Sequence, residues 1–169
     1  IVGLVLNRAP RLRLPTMPQR YPPPLREVLA QPHLAALYAQ MSRPRAGLAA
    51  VQTDNGFLAV GGYNREGCTP LVESFNVSRN AWDGFGALKT NRARFAAVSV
   101  KGTLYAIGGS NGREELASLE RCNAKTNQGE KMKATMYTAR SCFAAAELDG
   151  SVYAVGGSHY SSLLKSAEV

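Results

Sequence analysis

A Gly-Gly pair recurs three times, at Gly61-Gly62, Gly108-Gly109 and Gly156-Gly157, with spacings of 47 and 48 residues. Each pair closes a short apolar run, and each first glycine is followed twelve residues later by a glutamate: Glu73, Glu120 and Glu168. A period near 47 with strand-like contents restricts the chain to an array of small units, each burying its apolar face against the next. A Cβ at these positions would obstruct a positive φ or a close approach of backbone.

Everything between the glycines is also in register. The strand before each pair reads Phe57-Leu58-Ala59-Val60, Leu104-Tyr105-Ala106-Ile107 and Val152-Tyr153-Ala154-Val155. Turn sequences precede it: Asp54-Asn55-Gly56, Lys101-Gly102 and Asp149-Gly150, which suit tight hairpins. Upstream lies a strand of small residues, over 47–51, 95–100 and 143–147, announced by an apolar residue and, four later, an arginine: Met41 and Arg45, Leu88 and Arg92, Met136 and Arg140. A polar loop follows each diglycine, then a third strand near 71–76, 117–123 and 165–169, and a fourth that holds Trp82 in the first unit. No segment after residue 42 keeps a helical period along its length. The chain is read as all-β: a partial β-propeller with two full four-stranded antiparallel blades, about 45–89 and 92–136, and three strands of a third over 140–169.

The order of diglycine, Glu, aromatic, Trp and then Arg resembles the kelch repeat, best in the first unit: Gly61, Gly62, Glu73, Phe75, Trp82 and Arg92. The resemblance covers roughly residues 41–169 and implies a kelch β-propeller like those of adaptors that carry an upstream dimerisation domain and serve a cullin-type ubiquitin ligase. In such adaptors the loops after each diglycine and an arginine leading into the inner strand form a peptide-binding face. Carried onto this sequence, that nominates Tyr63, Arg65, Arg94, Asn111 and His159 as partner-binding. Arginine offers a rigid fork for carboxylates or phosphates, and tyrosine adds contact area at low entropic cost. Arg45, Arg92 and Arg140 recur at one position, which argues for a structural role in bonding loop carbonyls between blades; the recurrent glutamates argue for a structural hydrogen bond or salt bridge. The second unit departs from the pattern, with Cys122 in place of Phe75 and Gly129 in place of Trp82. Without the indole, its outer edge is expected to be loosely packed.

Propellers close with about four to eight blades. The repeats here are too few, so the expectation is a piece of a longer protein, the alternative being that a partner copy supplies the missing blades. Residues 1–40 are different material, with seven of the nine prolines and five Arg against one Glu. They read as a Pro/Arg-rich arm, largely disordered or a linker, and 1–6 is too short an apolar run for a membrane span.

Cys68, Cys122 and Cys142 are odd in number and follow no C-x-x-C spacing, so neither a disulfide framework nor a zinc site is signalled. A reducing location follows: cytoplasm, or also nucleus. Cys122 and Cys142 read as packing residues within strands, Cys68 as a loop thiol. With two histidines, His33 and His159, and no nucleophile or phosphate-loop motif, no catalytic set can be assembled. The reading is a non-enzyme without cofactor or metal that binds a protein partner through an acidic or phosphorylated segment. Actin binding, known among kelch proteins, is the alternative. Nucleic acid is the third class, suggested by a net charge of +8, but half of that excess sits in the arm and the repeats carry no basic stripe.

Overall fold

The computed structural model describes residues 38–123 and 127–169, and all of the described secondary structure is β. Apart from Tyr38, Ala39 and Gln40, the arm lies outside the described residues. The compact unit opens at Tyr38, three residues before the boundary at residue 41 read from the sequence.

The first blade is built from β1 (Ala49–Thr53), β2 (Gly56–Val60), the ribbon β3 (Tyr63–Asn64) and β4 (Gly67–Cys68), then β5 (Leu71–Asn76) and β6 (Ala81–Ala87). The second comprises β7 (Ala96–Val100), β8 (Thr103–Ile107), β9 (Ser118–Asn123) and β10 (Gln128–Thr135). The third has β11 (Ala144–Leu148), β12 (Ser151–Val155), the ribbon β13 (Ser158–His159) and β14 (Ser162–Leu163), then β15 (Ala167–Glu168). Pairing runs β1-β2-β5-β6, β7-β8-β9-β10 and β11-β12-β15, antiparallel throughout each blade. The inner strands β1, β7 and β11 stand side by side. This is the partial propeller expected from the repeat.

Turn chemistry fixes the registers. Lys101-Gly102 and Asp149-Gly150 have φ of +50°, +76° and +52°, +81°, the paired positive values of a type I′ hairpin. Period-2 alternation then sorts side chains onto two faces. Val51 pairs with Leu58 and Val60 with Val72 on the face of blade one that looks towards blade two. There they join Leu88, Phe95, Leu104 and Cys122 in one buried cluster. Val60 and Val72 are 0% and 1% exposed, and each such burial stabilises by roughly 1.5–3 kcal/mol. The opposite face of blade one carries Phe57, Phe75 and Trp82, with ring centroids 5.1–5.5 Å apart, and Tyr38 lies 6.3 Å from Phe75.

Three readings from sequence need correction. The polar loops after the first and third diglycines are not irregular but fold into the two-residue ribbons β3–β4 and β13–β14. Cys142 is not inside a strand: it precedes β11, is exposed and has φ +53°. The loose outer edge foreseen for blade two is closed by backbone at Gly129. A Cβ there would stand 2.7 Å from the Leu88 Cα and 2.9 Å from the Lys89 nitrogen, so the connector from blade one occupies the space an indole would need. In blade one the same junction is made by the indole, whose Nε1 donates to the Ala39 carbonyl at 2.9 Å. A parallel bridge between Gln128 and Ala87 joins β10 to β6 and runs the first two blades into one eight-stranded sheet.

Candidate functional site

The loop face rests on a scaffold repeated in each blade. Arg45 donates to the carbonyls of Gly61 and Leu71 at 3.0 and 2.8 Å and to Glu73 at 2.5 Å. Arg92 donates to Gly108 and Ser118 at 2.8 and 3.2 Å and to Glu120 at 2.7 Å. Arg140 does the same with Gly156 and Ser166, at 2.9 and 3.2 Å, and with Glu168. The acceptors are always 16, 26 and 28 residues downstream. Each guanidinium thus binds the carbonyls of its own blade, not those of a neighbour as the sequence reading had it. The glutamates make the link to the preceding connector: Glu73 accepts from the Ser42 N–H, Glu120 from Lys89 and Thr90, Glu168 from Tyr137 and Thr138.

Electrostatics follow from this packing. Burial alone would raise the Glu120 carboxyl, but the hydrogen bonds from Arg92 and the Lys89 N–H, with the Arg92 charge, hold it below the ordinary carboxylate value. Burial also pulls the Arg92 and Arg45 guanidinium groups down, opposed by their glutamates. Glu168 is held low in the same way, by the Tyr137 N–H and Arg140 against its own burial.

Blades are stitched to one another by backbone. The Gly62 N–H donates to the Arg92 carbonyl and the Arg94 N–H to the Gly47 carbonyl, both at 2.8 Å. One repeat on, Gly109 donates to Arg140 and Cys142 to Arg94, again at 2.8 Å. Gly47, Arg94 and Cys142 occupy one repeat position, and all are left-handed, with φ of +59°, +53° and +53°.

That geometry positions the side chains nominated from sequence. The Arg94 guanidinium lies over the Tyr63 ring, 5.3 Å from its centroid, and contact with Tyr63 pushes its pKa up further. Gly47 leaves room for the pair: a Cβ there would stand 3.0 Å from Tyr63 Cε1 and 3.4 Å from Arg94 Cγ. A recess of about 200 Å³ between blades one and two is lined by Tyr63, Cys68, Arg94 and Ser110. Cys68 is half-buried, its thiol donates to the Ser110 carbonyl at 3.6 Å, and burial raises its pKa against the pull of Arg94. On the other side of Tyr63, an open cleft of about 920 Å³ is lined by Arg43, Arg65 and Glu66. Arg43 and Glu66 pair at 2.7 Å; Arg65 is exposed and makes no hydrogen bond or ion pair among the described residues.

Asn111 and His159 stand apart from this pair. Asn111 Oδ1 accepts the N–H groups of Arg113 and Glu114 at 2.9 and 3.0 Å, so the side chain shapes its own loop. His159 Nδ1 donates to the Ala139 carbonyl at 2.8 Å, and the ring meets Tyr160 edge-on at 4.6 Å. The sequence reading missed Glu115. Its carboxylate accepts from Ser141 Oγ and the Tyr160 N–H, both at 2.7 Å, and lies 3.5 Å from His159, tying the blade-two loop to blade three. The signal was available: Cys68 and Glu115 both stand seven residues after the first glycine of a pair, and both reach the loop of the next blade. No cluster of three or more metal-ligating side chains forms among the described residues.

The kelch motif matches residues 91–128 and 139–169, which fall in blades two and three. Among curated proteins, the human influenza virus NS1A-binding protein is 39% identical over 75 residues, 44% of this chain and 12% of that protein. The Xenopus laevis homolog is 34% identical over 89 residues, 53% and 14% of the two chains. The zebrafish (Danio rerio) kelch-like protein 41b is 37% identical over 71 residues, 42% and 12%. The matched stretch therefore spans about an eighth of the length of these relatives. With its diglycines, paired Arg and Glu, and four-stranded blades, the chain carries kelch motifs over residues 91–128 and 139–169 and is similar to kelch-repeat proteins.

Proposed function

We propose that the chain is a protein-interaction module whose loop face clamps an acidic or phosphorylated segment of a partner. The observation that carries this reading is Arg94. Its backbone is fixed on both sides by hydrogen bonds to neighbouring blades, while its exposed guanidinium is propped on Tyr63 at the rim of a recess. A cation held in place before binding loses less entropy on contact. Arg65 adds an unpaired charge beyond the same tyrosine. Relatives named for binding the influenza NS1A protein are themselves named for a protein partner. The finer reading, a substrate adaptor of a cullin-type ubiquitin ligase acting in cytoplasm or nucleus, follows the resemblance drawn from the repeat.

Affinity capture with the 169-residue chain tests this. Partners retained by the wild type and lost with both Arg65→Ala and Arg94→Ala support it, each substitution weakening a purified partner at least about tenfold, as expected for a charge-assisted hydrogen bond. Co-sedimentation with actin filaments that ignores both substitutions would favour the cytoskeletal role instead. Binding to nucleic acid that falls steeply with salt and needs residues 1–40 would favour the third class.

A further inference from the structure

We infer, resting on the clamp proposed above, that the recess between blades one and two seats an apolar side chain of the bound partner, two residues along from its acidic group. The two internal junctions share one backbone frame. Ala93 and Ser110 exchange N–H···O bonds at 2.9 and 2.8 Å, and one repeat on Ser141 and Ser158 exchange the same pair at the same lengths. Their side chains differ. Between blades two and three, the Ser141 hydroxyl donates to Glu115 at 2.7 Å and lies 3.2 Å from the Ser158 hydroxyl, and Glu115 also accepts the Tyr160 N–H. A polar knot closes that junction. Between blades one and two, Ala93 stands for Ser141, Ser110 for Ser158 and Cys68 for Glu115. The Ser110 hydroxyl is engaged in its own loop, accepting the Gly112 N–H at 3.1 Å. The knot is gone, and an opening of about 200 Å³ remains, lined by Tyr63, Cys68 and Ala93.

The chemistry of that opening selects its occupant. The N–H and carbonyl groups of Ala93 and Ser110 are already paired with each other, and the Cys68 thiol donates to the Ser110 carbonyl. Among the described residues, no buried side-chain nitrogen or oxygen lining the recess lacks a partner. Away from Arg94 at the rim, a polar group entering here would give up water for nothing, whereas an apolar one gains by leaving water. A closed cavity of about 150 Å³ accepts a benzene-sized group. The recess therefore admits a side chain up to the size of leucine or phenylalanine.

Charge and spacing agree. Arg94 lines the same opening, is exposed and makes no ion pair among the described residues. The groups acting on its charge are Tyr63 and the thiols of Cys142 and Cys68, with no carboxylate among them. At the next junction Cys142 takes the place of Arg94, and the carboxylate of Glu115 already fills the position of the seat. Free cation and empty apolar recess thus occur together at one junction and are both missing from the other. In an extended peptide, side chains two residues apart share a face and stand about 6.5 Å from each other. A segment lying across the junction can set its anion on Arg94 and drop the apolar side chain beside it into the recess.

Fluorescence polarisation of labelled peptides against the 169-residue chain tests this. One peptide carries glutamate-glycine-leucine between glycine-serine flanks, a second has glycine in place of the leucine, and a third has glutamine in place of the glutamate. The leucine peptide should bind at least about tenfold tighter than the glycine peptide. Cys68→Leu fills the seat and should bring the leucine peptide down to the level of the glycine peptide. Arg94→Ala should weaken both glutamate peptides about tenfold. A measurement that needs no variant is alkylation of Cys68 by iodoacetamide, followed by peptide mapping: at matched occupancy the leucine peptide should slow it and the glycine peptide should not. Equal binding of the two glutamate peptides, or a leucine preference that survives Cys68→Leu with Cys68 alkylation unslowed, overturns the seat, while sensitivity to Arg94→Ala leaves the acidic clamp standing. A leucine preference kept by the glutamine peptide and by Arg94→Ala supports the seat and removes the clamp. No binding by either glutamate peptide overturns both.

Discussion

Arg92 Nη2 and Glu120 Oε1 stand 2.7 Å apart, and neither side chain has any exposed surface. A pair so buried stabilises little in net terms, because both charges have been taken out of water. Removing one partner is a different matter, since it strands the other.

Arg92→Ala should therefore destabilise the domain by about 3–5 kcal/mol, and the effect should exceed that of Arg79→Ala, whose partner Asp83 is exposed. Urea unfolding followed by tryptophan fluorescence measures both. A joint Arg92→Met, Glu120→Leu replacement should recover part of the loss. Equal effects for Arg92 and Arg79 would refute the structural weight assigned to the buried pair.

Glycine substitutions should grade with what lies above them. Gly109 has φ +89°, and a Cβ would sit 2.5 Å from the Phe95 Cβ and 2.6 Å from the Ala93 oxygen. Gly156, at φ +66°, has only the Leu164 oxygen at 3.6 Å. Gly109→Ala should carry an overpacking cost of about 1–3 kcal/mol on top of conformational strain, whereas Gly156→Ala should show the strain alone, about 1–2 kcal/mol. Thermal melts of the two variants decide the order.

Trp82 and Gly129 answer the same need by opposite means, so each should resist exchange. Trp82→Ala removes a ring packed on Phe57 and Phe75 and the bond to Ala39, with an expected loss of about 3–5 kcal/mol. Gly129→Trp should destabilise as well, because the backbone of Leu88 and Lys89 already fills that volume. If Gly129→Trp raises the melting temperature, the account of blade two is wrong.

Acid should weaken the domain through Glu120 and Glu168. Both are held below the reference carboxylate value of 4.5 in the folded state. Their contribution is present above that value and is lost as pH falls through the lower, folded value. Melting temperature should drop as the solution is acidified below about pH 4.5, and Glu120→Gln, though less stable at neutral pH, should show a shallower drop.

The blades could be read from the sequence because their signals are local and repeated. The Asp149-Gly150 turn, the apolar strand ending at Val155 and the diglycine after it each dictate backbone shape on their own. The arginines and glutamates were legible as structural from recurrence alone, but not which carbonyls they hold, since 16 and 26 residues of intervening chain must fold first. Glu115 and the closed edge at Gly129 were missed for another reason. Both are contacts between blades, where one repeat position is filled by unlike residues: Cys68 against Glu115, Trp82 against Gly129. The Tyr63–Arg94 pair was named residue by residue, but the stacking that joins the two belongs to the space left by Gly47.

The left-handed link through Gly47, Arg94 and Cys142 joins the blades by main chain alone. A hydrogen, a guanidinium and a thiol have been hung on the same hook without disturbing it. The loop face of these blades can therefore be respelled, one letter per blade, at a conformational cost near 1–2 kcal/mol for each non-glycine letter, while the frame behind it stays as it is.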